Sequence, residues 1–170
     1  MTSSDGVDFE IVEPWPYNRH ISKRWYSHKF KGPGIRYEIG LAIQTGDIVK
    51  IAGPYPCGDW PDIKIFKLET VPELDKNERV EADAGYASLD PEYTKTPEGV
   101  SSSKEAEDMK NRVRARHETV NKRMKQWAIL RKVFHNNDLT KHSFVLRAVA
   151  VITQLSFENG EPLFQVDYKD

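Results

Sequence analysis

The stretch Ile35-Arg36-Tyr37-Glu38-Ile39-Gly40-Leu41-Ala42-Ile43-Gln44, followed by Thr45-Gly46-Asp47 and then by Ile48-Val49-Lys50-Ile51-Ala52, decides the fold. Both runs are rich in β-branched and aromatic residues, which favour strands. The short segment between them contains a Gly and an Asp, which favour a turn. The pattern predicts a β-hairpin, and it therefore predicts that the protein contains a sheet.

Helical patterns and short strands surround this hairpin. Residues 104–134 contain no Pro or Gly, and apolar residues recur at steps of three and four, which predicts a long amphipathic helix. Thr140 or Ser143 is expected to cap a second helix. The other expected elements are a short strand at 8–13, an interrupted helix at 63–74, a brief strand at 78–83, a loop at 89–103 and a last strand at 163–166.

The order of these elements predicts an α/β (α+β) fold in which helices pack against a mixed sheet. The 170 residues fit one domain spanning 1–170. Hydrophobic residues make up 38% and charged residues 30% of the chain, which excludes collagen-like and largely disordered classes.

Several other classes of protein are excluded by what the sequence lacks. The apolar run at 144–155 contains Arg147 and is too short for a membrane span. The start of the chain has no signal-peptide pattern. The single Cys57 cannot form an internal disulfide or a thiolate zinc cluster, which favours a reducing compartment, and the five His show no zinc spacing. Nucleotide-binding and serine-hydrolase motifs are absent.

The charges are divided along the chain. Residues 62–98 hold five Lys or Arg against ten Asp or Glu, whereas residues 104–147 hold twelve Lys or Arg against five Asp or Glu. A basic block in a helical region is typical of phosphate binding. A solvated helix face explains the same block equally well.

Three carboxylates stand out as candidate metal ligands. Asp5 is followed by a Gly near the first strand, Asp83 closes the strand at 78–83, and Glu118 lies in the basic helix. Divalent magnesium prefers hard oxygen ligands, and a two-metal site needs carboxylates that converge from several elements. Taken singly, Asp5 and Asp83 are also ordinary turn residues.

The surroundings of Glu118 allow two interpretations. Arg114, Asn121, Lys122 and Lys125 share its helix face because they lie four before, and three, four and seven after it. Cations around one carboxylate suit a metal and phosphate site. A solvated ladder of salt bridges gives the same spacing.

Five segments in order resemble the DDE-superfamily endonuclease domain of eukaryotic DNA transposases, specifically the PIF/Harbinger-like group. They cover nearly the whole chain and together make a fairly specific match. The segments are Asp5-Gly6-Val7-Asp8-Phe9, Lys29-Phe30-Lys31-Gly32-Pro33-Gly34-Ile35-Arg36-Tyr37-Glu38, Gly53-Pro54-Tyr55-Pro56-Cys57-Gly58-Asp59-Trp60-Pro61-Asp62, Ala82-Asp83-Ala84-Gly85-Tyr86 and Arg114-Ala115-Arg116-His117-Glu118-Thr119-Val120-Asn121-Lys122-Arg123-Met124-Lys125.

The resemblance implies an RNase H-like fold and a metal-dependent endonuclease and strand-transfer activity on DNA. It assigns Asp5, Asp83 and Glu118 as catalytic residues that hold two Mg²⁺ or Mn²⁺ ions, and it makes Asp62 an accessory candidate. It also implies a nuclear protein that works with DNA and with a separate DNA-binding partner. The residues it places on the DNA backbone are Arg114, Arg116, Lys122, Arg123 and Lys125.

The chain departs from the family at its first strand. The family usually has several apolar residues running into Asp-Gly-Thr, whereas only residues 1–4 precede Asp5 here and Val7 replaces the Thr. A truncated first strand is therefore expected. The family also has a separate DNA-binding module ahead of this domain, and no such module is expected within residues 1–170. A non-catalytic nucleic-acid-binding or protein-interaction module is the alternative function, with Trp25, Tyr26 and Phe30 as a stacking surface for single strands.

Overall fold

The hairpin predicted from the sequence lies within the sheet of the protein. The computed structural model describes residues 2–14, 22–82, 84–89, 92–95 and 104–164. β3 (Gly32–Ala42) and β4 (Ile48–Pro56) pair antiparallel, as predicted. Gly46 closes the connection with a positive φ of 82°, which a residue with a side chain rarely adopts.

The first strand, β1 (Thr2–Glu10), is central and longer than the sequence predicts. It pairs antiparallel with β3 along its whole length, from Thr2 opposite Ala42 to Glu10 opposite Gly34. The strand expected at 8–13 is thus a strand of nine residues that begins earlier and ends at Glu10. The hydropathy pattern hides its first half because Ser3 and Ser4 are buried polar residues.

The remaining strands complete a mixed, open sheet, which confirms the predicted fold class. Among the described residues the sheet has six strands. β5 (Val80–Glu81) runs parallel to β1, and β6 (Thr94–Lys95) runs parallel to β5 inside the stretch expected to be a loop. β2 (Tyr26–Ser27) pairs with the start of β3. The order of the other five strands is β4-β3-β1-β5-β6.

Helices cover both faces of this sheet. The interrupted helix predicted at 63–74 is confirmed as a helix whose winding changes twice along the chain. The helical segments are α1 (Ser22–Trp25), α2 (Asp62–Ile65) continued by a π turn (Phe66–Thr70) and a 3₁₀ turn (Val71–Glu73), a 3₁₀ turn at Ala84–Leu89, α3 (Lys104–Gln126), α4 (Ala128–Arg131) and α5 (Leu139–Glu158).

Three predicted boundaries differ from the structure. The long helix ends at Gln126 rather than at 134, because Phe134 exchanges backbone hydrogen bonds with Glu10 and Val12 at the end of β1. α5 begins at Leu139, two residues earlier than a Thr140 cap predicts and five earlier than a Ser143 cap predicts. Its cap is Asp138, whose carboxylate accepts from the backbone N–H of Thr140. Residues 163–164 are not in a strand, and 165–166 lie outside the described residues.

The alternation of side chains in β1 divides the interior. Val7 and Phe9 point to one face and join an apolar cluster with residues of α3 and α5, among them Val120 and Leu146. Asp8 points to the opposite face, toward α2. None of the described helices is both long and apolar enough to span a membrane.

Candidate functional site

A cavity of about 580 Å³ opens where the middle of β1 meets α3. Both Asp5 from the strand and Glu118 from the helix line it. Asp62 at the start of α2 lines the same cavity. Three of the four acidic residues singled out in the sequence are thereby brought to one place.

Asp5 is held by the helix that faces it. The Asn121 side-chain amide Nδ2 donates a hydrogen bond to Asp5 Oδ2 over 3.2 Å. The other amide atom, Asn121 Oδ1, is buried without a hydrogen-bond partner among the described residues. Asn121 lies one turn after Glu118, so one helix face presents a carboxylate and an amide oxygen to the cavity.

Glu118 is exposed, and its surroundings agree with both interpretations drawn from the sequence, a metal and phosphate site and a solvated salt bridge. Its carboxylate forms an ion pair with Arg114 Nε at 3.8 Å, and both side chains are well exposed, at 71% and 65%. Exposed pairs of this kind contribute about 0 to 1 kcal/mol. Glu118 therefore forms an exposed salt bridge and also lines the cavity.

The third predicted ligand, Asp83, lies outside the described residues. The two residues before it, Glu81 and Ala82, line the cavity. Glu81 pairs with Ser3 where β5 runs parallel to β1, so this end of β5 lies beside the strand that carries Asp5.

Asp62, the accessory candidate, belongs to a charged cluster on the wall of the cavity. Arg36 Nε lies 3.1 Å from Asp62 Oδ1 and 2.6 Å from Asp8 Oδ1. Burial by itself raises the pKa of Asp8, but the Arg36 guanidinium holds that pKa below its ordinary value. Gly6 makes room for the cluster, because a Cβ there would lie 2.0 Å from Asp62 Oδ1.

His117 forms a buried polar contact beneath the cavity. Its Nε2 lies 2.8 Å from Ser3 Oγ, and its Nδ1 has no hydrogen-bond partner among the described residues. Burial lowers the pKa of His117 to about 4, which keeps the imidazole neutral at physiological pH.

Arg116, one of the predicted DNA-binding residues, is buried instead of lying on the surface. It is only 2% exposed, and its guanidinium donates to the backbone carbonyls of Ile43 and Phe164. The helical spacing explains this correction, since Arg116 points inward while Arg114 and Glu118 point outward.

The other four predicted DNA-binding residues divide into two pairs. Arg114 and Lys122 are exposed on α3. Arg123 donates to the carbonyl of Glu161 over 2.5 Å, and Lys125 donates to the carbonyl of Asp8 over 2.9 Å. Arg123 and Lys125 therefore tie α3 to neighbouring segments.

The aromatic residues of the alternative function do not form one exposed surface. Trp25 is buried in the main apolar cluster, whereas Tyr26 is exposed. The ring of Phe30 is half-buried, with Lys125 Nζ 5.9 Å from its centre.

The donor atoms around the cavity suit a hard divalent cation. The carboxylates of Asp5 and Glu118 and the unpartnered Oδ1 of Asn121 are oxygen ligands of the kind that Mg²⁺ and Mn²⁺ prefer. Within the described part of the chain, no three His, Cys, Asp or Glu side chains form a group that could hold a metal ion. Asp83 lies outside that part of the chain.

Sequence reasoning missed the residues that frame this site. Lys29 in the turn before β3 lines the cavity, as do Asp8 and Arg36. The pairing of Asp8 with Arg36 follows from the register of β1 against β3, which no local pattern reveals.

Comparison of the chain with family models, with curated proteins and with solved structures finds no match.

Proposed function

We propose that this chain is a metal-dependent DNA endonuclease domain of the DDE type, related to those of PIF/Harbinger-like transposases, with Asp5, Asp83 and Glu118 as its metal ligands. One observation carries the proposal. Asp5 and Glu118, assigned from motifs far apart in the sequence, line one cavity, and Ala82 brings the chain to that cavity just before Asp83.

The sheet order supports the proposal. Three antiparallel strands, β4, β3 and β1, are followed by the parallel strands β5 and β6. This order is compatible with the RNase H-like fold that the resemblance implies. Asp5 occupies the middle of the central strand, β1.

The residues of the cavity suit phosphodiester chemistry. When bound, two Mg²⁺ or Mn²⁺ ions would activate a water or a DNA 3'-hydroxyl and stabilise the leaving oxygen. Asn121 fixes the carboxylate of Asp5 in position. Arg36 forms ion pairs with both Asp8 and Asp62, so these two carboxylates compete less with the proposed ligands for metal.

Two exposed cations stand where a phosphate backbone would approach. Arg114 lines the cavity from α3, and Lys29 lines it from the turn before β3. Phosphate contacts of this kind position DNA without reading its sequence. A separate DNA-binding partner and a nuclear location belong to the same proposal.

Nicking of supercoiled plasmid DNA in the presence of Mn²⁺ tests the activity. We expect Asp83→Asn and Glu118→Gln each to lower the nicking rate at least about a hundredfold, because each removes an anionic ligand. Asp108→Asn, a change at an exposed acidic residue of the same helix, is the matched control and should nick like the wild type.

The outcomes separate the two candidate functions. Equal nicking by all four proteins would assign the activity to a contaminant. DNA affinity without metal-dependent nicking, unaffected by changing Asp83 or Glu118, would favour the non-catalytic binding module.

A further inference from the structure

Helix α5 is apolar on the side that faces away from the sheet. Its inner face is buried and includes Leu146, Val149 and Phe157. The outer face nevertheless exposes Phe144 by 68%, Val151 by 60% and Leu155 by 50%. A helix that is apolar on all sides is normally buried, so this outer face indicates a contact beyond the single chain.

The outer residues follow a regular spacing. We define the α5 seam as Phe144, Ala148, Val151 and Leu155, all exposed and separated by steps of four, three and four residues. These steps are those of the a and d positions through which two helices pack in a coiled coil. The partner expected for such a seam is therefore another helix.

The charges at the ends of the seam identify that helix. Lys141 lies one turn before Phe144, and Glu158 lies one turn after Leu155. If two copies of α5 pack antiparallel about a two-fold axis between Ala148 and Val151, Phe144 meets Leu155 of the second copy. In the same register Lys141 meets Glu158 of the second copy, and this happens twice because the contact is symmetric.

We propose that the α5 seam is the interface of a homodimer in which two α5 helices pack antiparallel. This proposal concerns a surface outside the cavity and does not depend on the proposed nuclease activity. The edge strand β4 borders the seam, and a groove between β4 and α5 includes Val49, which is 55% exposed. The groove adds apolar surface beside the helix pair.

Sedimentation equilibrium of the full chain over a range of concentrations tests the dimer. Leu155→Glu should raise the dissociation constant at least about a hundredfold, because it buries a charge twice in the symmetric contact. Leu68→Glu is the matched control, since Leu68 is 53% exposed on α2's continuation and should leave the dimer unchanged. A wild type that is monomeric at all concentrations overturns the proposal, as does a dimer that Leu155→Glu leaves intact.

A charge exchange tests the antiparallel register. Lys141→Glu and Glu158→Lys should each weaken the dimer about tenfold, because each replaces two ion pairs by two like-charge contacts. The double variant should recover the wild-type dissociation constant. If the double variant is as weak as either single variant, the register is wrong. Circular dichroism of every variant checks that the fold is retained.

Discussion

Asp5 and Asp8 lie three residues apart on the same strand, yet they belong to two different regions of the molecule. Asp8 is 3% exposed and accepts hydrogen bonds from both the Arg36 guanidinium and the Ser27 hydroxyl. Asp5 is half-buried and accepts from the neutral amide of Asn121. Both residues line the cavity, and what differs is the group that each carboxylate contacts. An odd separation in a strand puts them on opposite faces. The difference teaches that two carboxylates three residues apart on one strand can have different partners, a guanidinium for Asp8 and an amide for Asp5.

The largest expected loss of stability comes from removing the Arg36 cation that pairs with Asp8. Arg36→Met leaves Asp8 buried without its cation, which should lower the free energy of unfolding by about 3 to 5 kcal/mol. Arg24→Met removes a cation from the exposed pair with Asp59 and should cost less than about 1 kcal/mol. Urea denaturation measures both, and equal midpoints for the two variants would contradict the structural role of Arg36.

The Asp5 side also holds a group that matters for stability, His117. Its pKa is lowered from 6.5 to about 4, so the unfolded chain binds a proton that the folded chain does not. Stability is therefore full above pH 6.5 and falls as the pH is lowered toward 4. His117→Gln should remove up to about 3 kcal/mol of this loss between pH 7 and pH 4.

Denaturation at several pH values measures that loss. The exposed His135, changed to Gln, is the control and should keep the acid sensitivity of the wild type. The buried His142 has a similarly lowered pKa of about 4 and accounts for the sensitivity that His117→Gln leaves behind. An unchanged pH dependence in His117→Gln would show that its imidazole titrates normally.

Exchanging each aspartate for its amide compares the two regions directly. Asp8→Asn should lower the free energy of unfolding by about 3 kcal/mol, because it removes the closer of the two anions of the half-buried Arg36 and leaves only Asp62. Asp5→Asn should change it by less than about 1 kcal/mol, since an amide oxygen still accepts from Asn121. Thermal melting without metal measures both. A larger loss of stability for Asp5→Asn than for Asp8→Asn would contradict the distinction between the two faces.

The smallest expected loss of stability comes from a substitution at Gly6, which lies between the two aspartates. Gly6→Ala places a Cβ against the Asp62 carboxylate and pushes it away from Arg36, at a cost of about 1 kcal/mol. Gly32→Ala is the control, because the nearest atom to a Cβ there is 4.0 Å away. A melting temperature for Gly6→Ala equal to that of Gly32→Ala would mean that Asp62 moves at no cost.

Much of the fold follows from local pattern, and the site follows only in part. The hairpin and α3 have strong periodicities, so the sequence predicts both. The presence of Asp5 and Glu118 on one cavity is what the resemblance implies, and their spacing in the sequence does not predict it. The start of β1 escaped prediction because Ser3 and Ser4 are polar although they are buried in a central strand.

The basic residues of α3 show why the rest could not be predicted. A helical pattern tells which residues share a face, but it does not tell which face meets the sheet. Arg116 is buried, and its guanidinium donates hydrogen bonds to the backbone carbonyls of Ile43 and Phe164, which are distant in sequence. The Asp8 contact with Arg36 likewise depends on strand register, which is a long-range property.

Calorimetric titration of Mn²⁺ into the purified protein tests the central claim most directly. Wild type, Asp5→Asn, Asp83→Asn and Glu118→Gln are compared with Asp8→Asn at a temperature where all five are folded. The account predicts that the wild type and Asp8→Asn bind Mn²⁺, while the other three variants bind at least about tenfold more weakly. A wild type that binds no Mn²⁺, or three variants that bind it as the wild type does, would contradict the account.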